Sequence, residues 1–239
     1  MTDWRLKCVD HVNMKGVLID FGDTLAYTDG KAYDVYLEEI VAAVQKKKST
    51  LSSDNVKSIF ASLYRSSSTG EMKTVEDFWA TFLQELGLSH EKSLIKQLEQ
   101  TRKRFYIPSI KLYDDVPFVL SLLEKKYNLA LVSNCGVGSM DVITTLELAK
   151  FFDAIVLSYE IGARKPDERI YVEALRKIRL KSDECVFVAD EISDLEGARK
   201  LGMKTLLVRQ GSSTFCEAED LSFRPDFECE HASQIINFL

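Results

Sequence analysis

Gly16-Val17-Leu18-Ile19-Asp20-Phe21-Gly22-Asp23-Thr24-Leu25 is the stretch on which the fold of this chain turns. Three apolar residues, Val17 to Ile19, run straight into an acid, and a glycine-containing turn follows at once. An uninterrupted apolar run bounded by turn signals predicts a strand buried on both faces, as in a parallel sheet. Its last residue then emerges at the carboxyl end of the sheet, where α/β proteins place their ligands. Asp20 stands at that point. A carboxylate there is costly to desolvate unless a cation or hydrogen bonds hold it. Service as a helix cap or turn former is the alternative use of such an acid.

Three later segments bear on that choice. They are Leu131-Val-Ser133-Asn134, Arg164-Lys165-Pro166-Asp167 and Val186-Phe-Val-Ala-Asp190-Glu191-Ile-Ser-Asp194. Each sets a polar group just after an apolar run or in the loop beyond it, in the order hydroxyl, ammonium, carboxylates. Four strand-end sites of this kind can converge on one phosphate-sized spot.

The rest of the chain divides by periodicity. From about Ala26 to Pro108 the apolar residues recur at helical intervals. The first stripe is Tyr33, Tyr36, Leu37, Ile40, Val41 and Val44, and the second is Val56, Ile59, Phe60 and Leu63. Thr74 with Asp77 offers a capping box for a third, Val75 to Leu86, and Leu94, Ile95, Leu98 and Phe105 make a fourth. Four helices with no strand among them are expected, their aromatics forming core. After Ser109 helices and strands alternate: helix 117–126, strand 129–132, helix 140–148, strand 154–157, helix 167–178, strand 185–189, helix 194–201 and strand 205–208. A last strand (225–229) and helix (232–238) close the chain. Strands separated by helices of this length imply a doubly wound parallel sheet. The expected organisation is a discontinuous Rossmann-like α/β core, residues 1–25 and 109–239, with an α-helical cap inserted over residues 26–108.

With all four motifs in order from Lys15 onward, the chain resembles the haloacid dehalogenase superfamily, in the branch with a helical cap after the first motif. The resemblance implies an aspartate nucleophile, Asp20, and magnesium-dependent phosphoryl transfer. A carboxylate that attacks phosphorus splits one hard displacement into two easier ones, and two anions can meet only beside a cation. Asp190 is the expected partner of Asp20 around Mg²⁺, a hard ion that takes oxygen ligands. By the resemblance the backbone carbonyl of Gly22 is the remaining protein ligand. Lys165 is the expected counter-charge to the nucleophile and the phosphoryl oxygens, with Ser133, Asn134 and Thr24 as phosphate-binding groups. Asp194 is expected to hold a metal-bound water or Lys165, or to cap the following helix, with Glu191 in the same loop. The cap is expected to act as a lid whose inward residues select the substrate. Lys31 and Asp29, at its start, lie near enough in sequence to approach the site.

The motif departs from the family at one position. A second Asp, two residues after the nucleophile, usually protonates the leaving group and then activates water. Gly22 stands there, and an acid follows one residue later at Asp23, where a shift of one residue in a tight turn aims the side chain elsewhere. Three readings follow, in order: a phosphatase of a small phosphorylated metabolite in which Asp23, a cap residue or water replaces the acid; a metal-independent 2-haloacid dehalogenase, whose leaving halide needs no proton; and a weakly active or inactive phosphate- and metal-binding module. Asp190, Glu191 and Asp194 favour the first, because dehalogenation needs no metal.

Composition sets the outer limits. The chain has 239 residues, 46% hydrophobic and 28% charged, ordinary for a globular protein and unlike a disordered one. A net charge of -6 argues against non-specific nucleic-acid binding and anionic membranes. The five cysteines, Cys8, Cys135, Cys185, Cys216 and Cys229, contain no C-x-x-C pair and read as reduced intracellular thiols. The polar stretch Met1–Asn13 has no signal-peptide pattern and no apolar run reaches membrane-span length, so the expected location is the cytoplasm.

Overall fold

The computed structural model describes residues 14–210 and 223–239. The expectations for Met1–Asn13, Cys8 and Cys216 therefore lie outside the described residues. Strand β1 is Gly16–Ile19, and β2 is Ala26–Thr28. Helices α1 (Gly30–Gln45), α2 (Ser53–Ser67), α3 (Val75–Glu85) and α4 (Lys92–Thr101) follow. A π-helical turn, Arg102–Tyr106, and a 3-10 turn, Ile107–Ser109, lead into β3 (Ile110–Leu112). Then come α5 (Val116–Leu123), β4 (Asn128–Ser133), α6 (Ser139–Thr145), β5 (Ala154–Leu157) and the single turn α7 (Ser158–Ile161). The chain continues through α8 (Glu168–Ile178), β6 (Cys185–Ala189), α9 (Ile192–Lys200), β7 (Lys204–Val208) and β8 (Phe227–Cys229).

Six strands form one parallel sheet in the order β5-β4-β1-β6-β7-β8. The chain leaves β1 in one direction to β4 and later returns on its other side as β6. The order therefore reverses at β1, the point where open α/β sheets form a crevice at their carboxyl edge. Both faces are covered, as the unbroken apolar runs predict. Val17, Ile19, Leu131 and Val188 face a cluster completed by α5, whereas Leu18, Val132, Phe187 and Ala189 face one completed by α8 and α9. At the base of β1 neighbouring side chains crowd the strand. A Cβ on Gly16 would lie 2.6 Å from Leu180 Cδ1 and 2.8 Å from Cys185 Sγ, so only glycine fits without movement.

The four helices α1 to α4 pack around a core of their own, with Tyr36, Phe60, Trp79, Phe82 and Leu98 at its centre. The capping box at Thr74 and Asp77 is formed in both directions. Two expectations need correction. The insert is not free of strand: β2 pairs antiparallel with β3, Ala26 opposite Leu112 and Thr28 opposite Ile110, where the chain leaves and rejoins the sheet domain. Three-residue strands complete too few alternations to register as a period. The segment after β8 is a 3-10 helix, Ala232–Asn237, not an α-helix. Among the described residues, no helix is long and apolar enough to cross a membrane.

Candidate active site

Asp20 is the residue at which β1 ends. Its backbone N–H is held by Val188 O on β6 (2.9 Å), and its Oδ1 accepts the N–H of Phe21 at 2.7 Å. The residue is only 7% exposed. The turn after it folds back on itself: Leu25 and Ala26 both donate to Phe21 O, and Asp23 donates to Ala26 O at 2.7 Å. Asp23 pays for that turn with a φ of +52°, a left-handed conformation that Asp tolerates better than most residues.

Lys165 reaches the same spot from the loop between α7 and α8. Its Nζ lies 2.6 Å from Asp20 Oδ1 and 2.8 Å from Asp194 Oδ2, and all three side chains are buried. Burial works against the ammonium charge, but the two carboxylates outweigh it and hold the Lys165 pKa above its usual range. Burial also raises the pKa of Asp20, opposed by Lys165 and reinforced by the nearby Asp194. The lysine is positioned by its backbone. Asn134, at the end of β4, accepts the Lys165 N–H at 2.8 Å and donates to the Lys165 carbonyl at 3.1 Å. Asp167 then caps α8 by accepting the N–H of Arg169.

Asp190 follows β6, next to Asp20 across the switch point. Thr24 Oγ1 donates to its Oδ1 at 3.1 Å. Burial, then the charge of Asp20, push the Asp190 carboxyl up to about 7. Asp194 sits in the first turn of α9, and Glu191 occupies the position before that helix, so Asp194 is not the cap. It spends one oxygen on Lys165, while its Oδ1 is buried without a hydrogen-bond partner. Glu191 is exposed at the rim.

These groups line one cleft of about 290 Å³ that contains Asp20, Gly22, Asp23, Ser133, Asn134, Lys165, Asp190, Glu191 and Asp194. The expected site residues thus come together, with three points of detail. Thr24 is fully buried and absent from the cleft wall, and its hydroxyl donates to Asp190. The Asn134 side chain ties two loops together through the Lys165 backbone. Asp29 caps α1 and pairs with Lys111, and neither it nor Lys31 reaches the cleft. Sequence reasoning passed over Tyr64 and Tyr106, which bring phenols to the wall. Tyr64 stands four residues after Phe60 on α2, a spacing that continues the helical stripe to its end. Cys135 also lines the cleft, but burial pushes its thiol up to about 11, so it is no thiolate nucleophile.

Three buried carboxylates, Asp20, Asp190 and Asp194, line the cleft, and the buried ammonium of Lys165 pairs with Asp20 and Asp194. The Asp194 Oδ1 is buried without a hydrogen-bond partner beside these carboxylates, and a hard divalent cation suits such an oxygen-rich set. Among the described residues no three His, Cys, Asp or Glu side chains form a metal cage of their own. The expected set has only two side chains, Asp20 and Asp190, with the Gly22 carbonyl.

A family model described as haloacid dehalogenase-like hydrolase matches residues 17–208. The chain belongs to that family. It is a hydrolase with phosphatase relatives. A glyceraldehyde 3-phosphate phosphatase of Methanopyrus kandleri is 27% identical over 234 residues, 94% of this chain and 96% of the relative. A phosphoglycolate phosphatase of Aquifex aeolicus is 28% identical over 131 residues, covering 54% of this chain and 59% of the relative. Among solved structures, a haloacid dehalogenase-type phosphatase from Thermococcus onnurineus superposes with a TM-score of 0.68 at 21% identity, covering 94% of this chain and 97% of the other. A 2-haloacid dehalogenase from Pseudomonas syringae superposes about as well, at 0.67 and 21%, with the same coverage. At that identity the two structures speak for the shared fold alone.

Proposed function

We propose that the protein is a Mg²⁺-dependent phosphatase that cleaves a small phosphorylated substrate through an aspartyl-phosphate on Asp20. The observation that carries this reading is the Asp20 carboxylate at the switch point, 2.6 Å from Lys165 and flanked by Asp190. Asp20, Asp190 and the Gly22 carbonyl would hold the ion, with Asp194 and Glu191 at its margin. When bound, it would neutralise the anions that must meet and act as a Lewis acid on the phosphoryl group.

The chain's own residues do the rest. Asp20 attacks phosphorus, forming a P–O bond to its carboxylate as the bond to the leaving oxygen breaks; water then attacks the phosphorus of that acyl phosphate and frees the carboxylate and inorganic phosphate. Lys165 stabilises charge on the phosphoryl oxygens, and Asp194 keeps the lysine charged and aimed. Ser133 offers a hydroxyl donor on the cleft wall. The helical insert, read as the cap over residues 26–108, closes the cleft from the side of Tyr64 and Tyr106.

Hydrolysis of an activated aryl phosphate, with and without Mg²⁺, tests the reading beside 2-chloropropionate. Magnesium-dependent phosphate release is the expected outcome. Metal-independent chloride release would overturn it in favour of dehalogenation, and neither product from folded protein would favour a binding module.

The position of Gly22 gives a second test. A Cβ built there meets nothing within 4 Å, and its φ lies outside the left-handed range. Gly22→Asp should therefore be accommodated and supply the missing proton donor. General acid–base help is worth about 10²–10⁴ in rate. Turnover of alkyl phosphates, whose leaving groups need a proton, is expected to rise by about 10²-fold. Aryl phosphates with good leaving groups should gain far less. Equal gains on both, or none on either, would sink the idea that Gly22 marks the absent acid.

A further inference from the structure

The insert contributes two phenols to the cleft, Tyr64 from the end of α2 and Tyr106 from the π-helical turn after α4. Their hydroxyls lie 3.0 Å apart. The rings are fixed from behind: Tyr106 stands 5.3 Å from the Tyr36 ring, and Tyr64 stands 6.3 Å from Phe60. The space behind the pair amounts to about 20 Å³, room for no more than a water molecule.

The chemistry of the pair is that of a neutral donor and acceptor. The Tyr106 phenol and burial raise the Tyr64 pKa, and burial raises that of Tyr106, so both keep their protons. Two hydroxyls carry two protons. One proton is used between them, and the other is available to a ligand along with oxygen lone pairs. Such a pair suits a hydroxyl or carbonyl oxygen. It offers no counter-charge to a carboxylate. The cation on the cleft wall beside Lys165 is Arg164, which is exposed and donates to Ser68 on the insert at 2.6 Å.

We infer that Tyr64 and Tyr106 are specificity-determining residues: together they hydrogen-bond a neutral oxygen, hydroxyl or carbonyl, on the short non-phosphate portion of the substrate. This rests on the phosphatase reading, with the phosphoryl group at Asp20. It narrows the substrate class to short, oxygenated, uncharged-tail phosphomonoesters. Because the phenols satisfy each other when no ligand is bound, a substrate lacking the oxygen leaves no buried group unpaired. The discrimination is therefore about 10-fold, not the far larger factor seen when a polar site is left empty.

The test is kcat/KM with Mg²⁺ for three esters of similar length: glycerol phosphate, propyl phosphate and the phosphate ester of hydroxypropionate. The protein is expected to favour glycerol phosphate over propyl phosphate by about 10-fold. In Tyr64→Phe/Tyr106→Phe that ratio should fall to about one, with each single variant between. The rings remain in place, and melting curves identify any variant that fails to fold, in which case the single variants carry the test. A wild-type ratio near one, or a ratio retained in the double variant, overturns the inference and leaves the phosphatase reading intact. So does a preference for the carboxylate ester that disappears in Arg164→Gln. Hydrolysis of the aryl phosphate with none of the three esters cleaved also overturns the inference and leaves the phosphatase reading, whereas failure on the aryl phosphate and the esters alike removes both readings together.

Discussion

Asp20→Asn is expected to end phosphate release, lowering kcat by about 10³-fold or more, because the covalent step has no other nucleophile. Asn keeps the size of the side chain and can still accept the Phe21 N–H through its amide oxygen. What it loses is the charge that attacks phosphorus. The variant should stay folded. The folded-state pKa of Asp20 is raised, mainly by burial, so above the unfolded value of 3.8 the ionised carboxylate costs the folded state energy that Asn does not. That cost grows as pH rises through the shifted pKa, so at neutral pH the variant is expected to melt at or above the wild-type temperature in the absence of metal. Lys165 retains Asp194 as its partner at 2.8 Å. Rapid quench and intact-mass measurement supply the second readout: a phosphoryl adduct on the wild type and none on the variant. Residual activity within tenfold of wild type would mean that phosphorus is attacked by some other group.

Lys165→Met acts on stability as well as rate. Lys165 is 4% exposed and is the ammonium between Asp20 and Asp194, which are 7% and 2% exposed. Removing it leaves two buried carboxylates facing each other, and breaking a buried pair in this way costs about 3–5 kcal/mol. For a chain of this size the melting temperature should fall by about 10 °C. Burial already raises the Asp20 pKa and Lys165 opposes that rise, so without the lysine the loss should shrink as pH is lowered and grow as it is raised. Adding Asp194→Asn to Lys165→Met removes one of the two facing charges and should recover much of the stability. Turnover is expected to stay about 10²–10³ below wild type, because the charge on the phosphoryl oxygens remains unopposed. Recovery of activity with stability would show that Lys165 is a scaffold residue only. An unchanged melting temperature in the single variant would contradict the buried triad itself.

Much of the site was legible because its residues stand at strand ends. A run such as Val186 to Ala189 followed by Asp190 says both that a buried strand stops and that an acid emerges there. Position along a parallel strand dictates position in space once the switch point is known. The Lys-Pro-Asp segment was readable for the same local reason, since Asp167 caps the helix that follows. Thr24 and Asn134 were assigned to phosphate because they sit inside motifs. Their hydrogen-bond partners in the structure, Asp190 and the Lys165 backbone, are 166 and 31 residues away. Nothing local predicts which of several nearby acceptors a short polar side chain will choose.

The sequence by itself determined the sheet, its two covered faces, the helical insert and the set of acids and the lysine at one edge. Apolar periodicity and strand-end placement are local properties of the chain, and the hydrophobic effect turns them into a fold without reference to detail. Only the tertiary structure decided that Asp194 pairs with Lys165 instead of capping α9, that β2 and β3 join the insert to the sheet domain, and that Tyr64 and Tyr106 meet at the cleft. Those choices depend on distances of about 3 Å between groups far apart in sequence, and hydrogen bonds lose their strength steeply beyond that range.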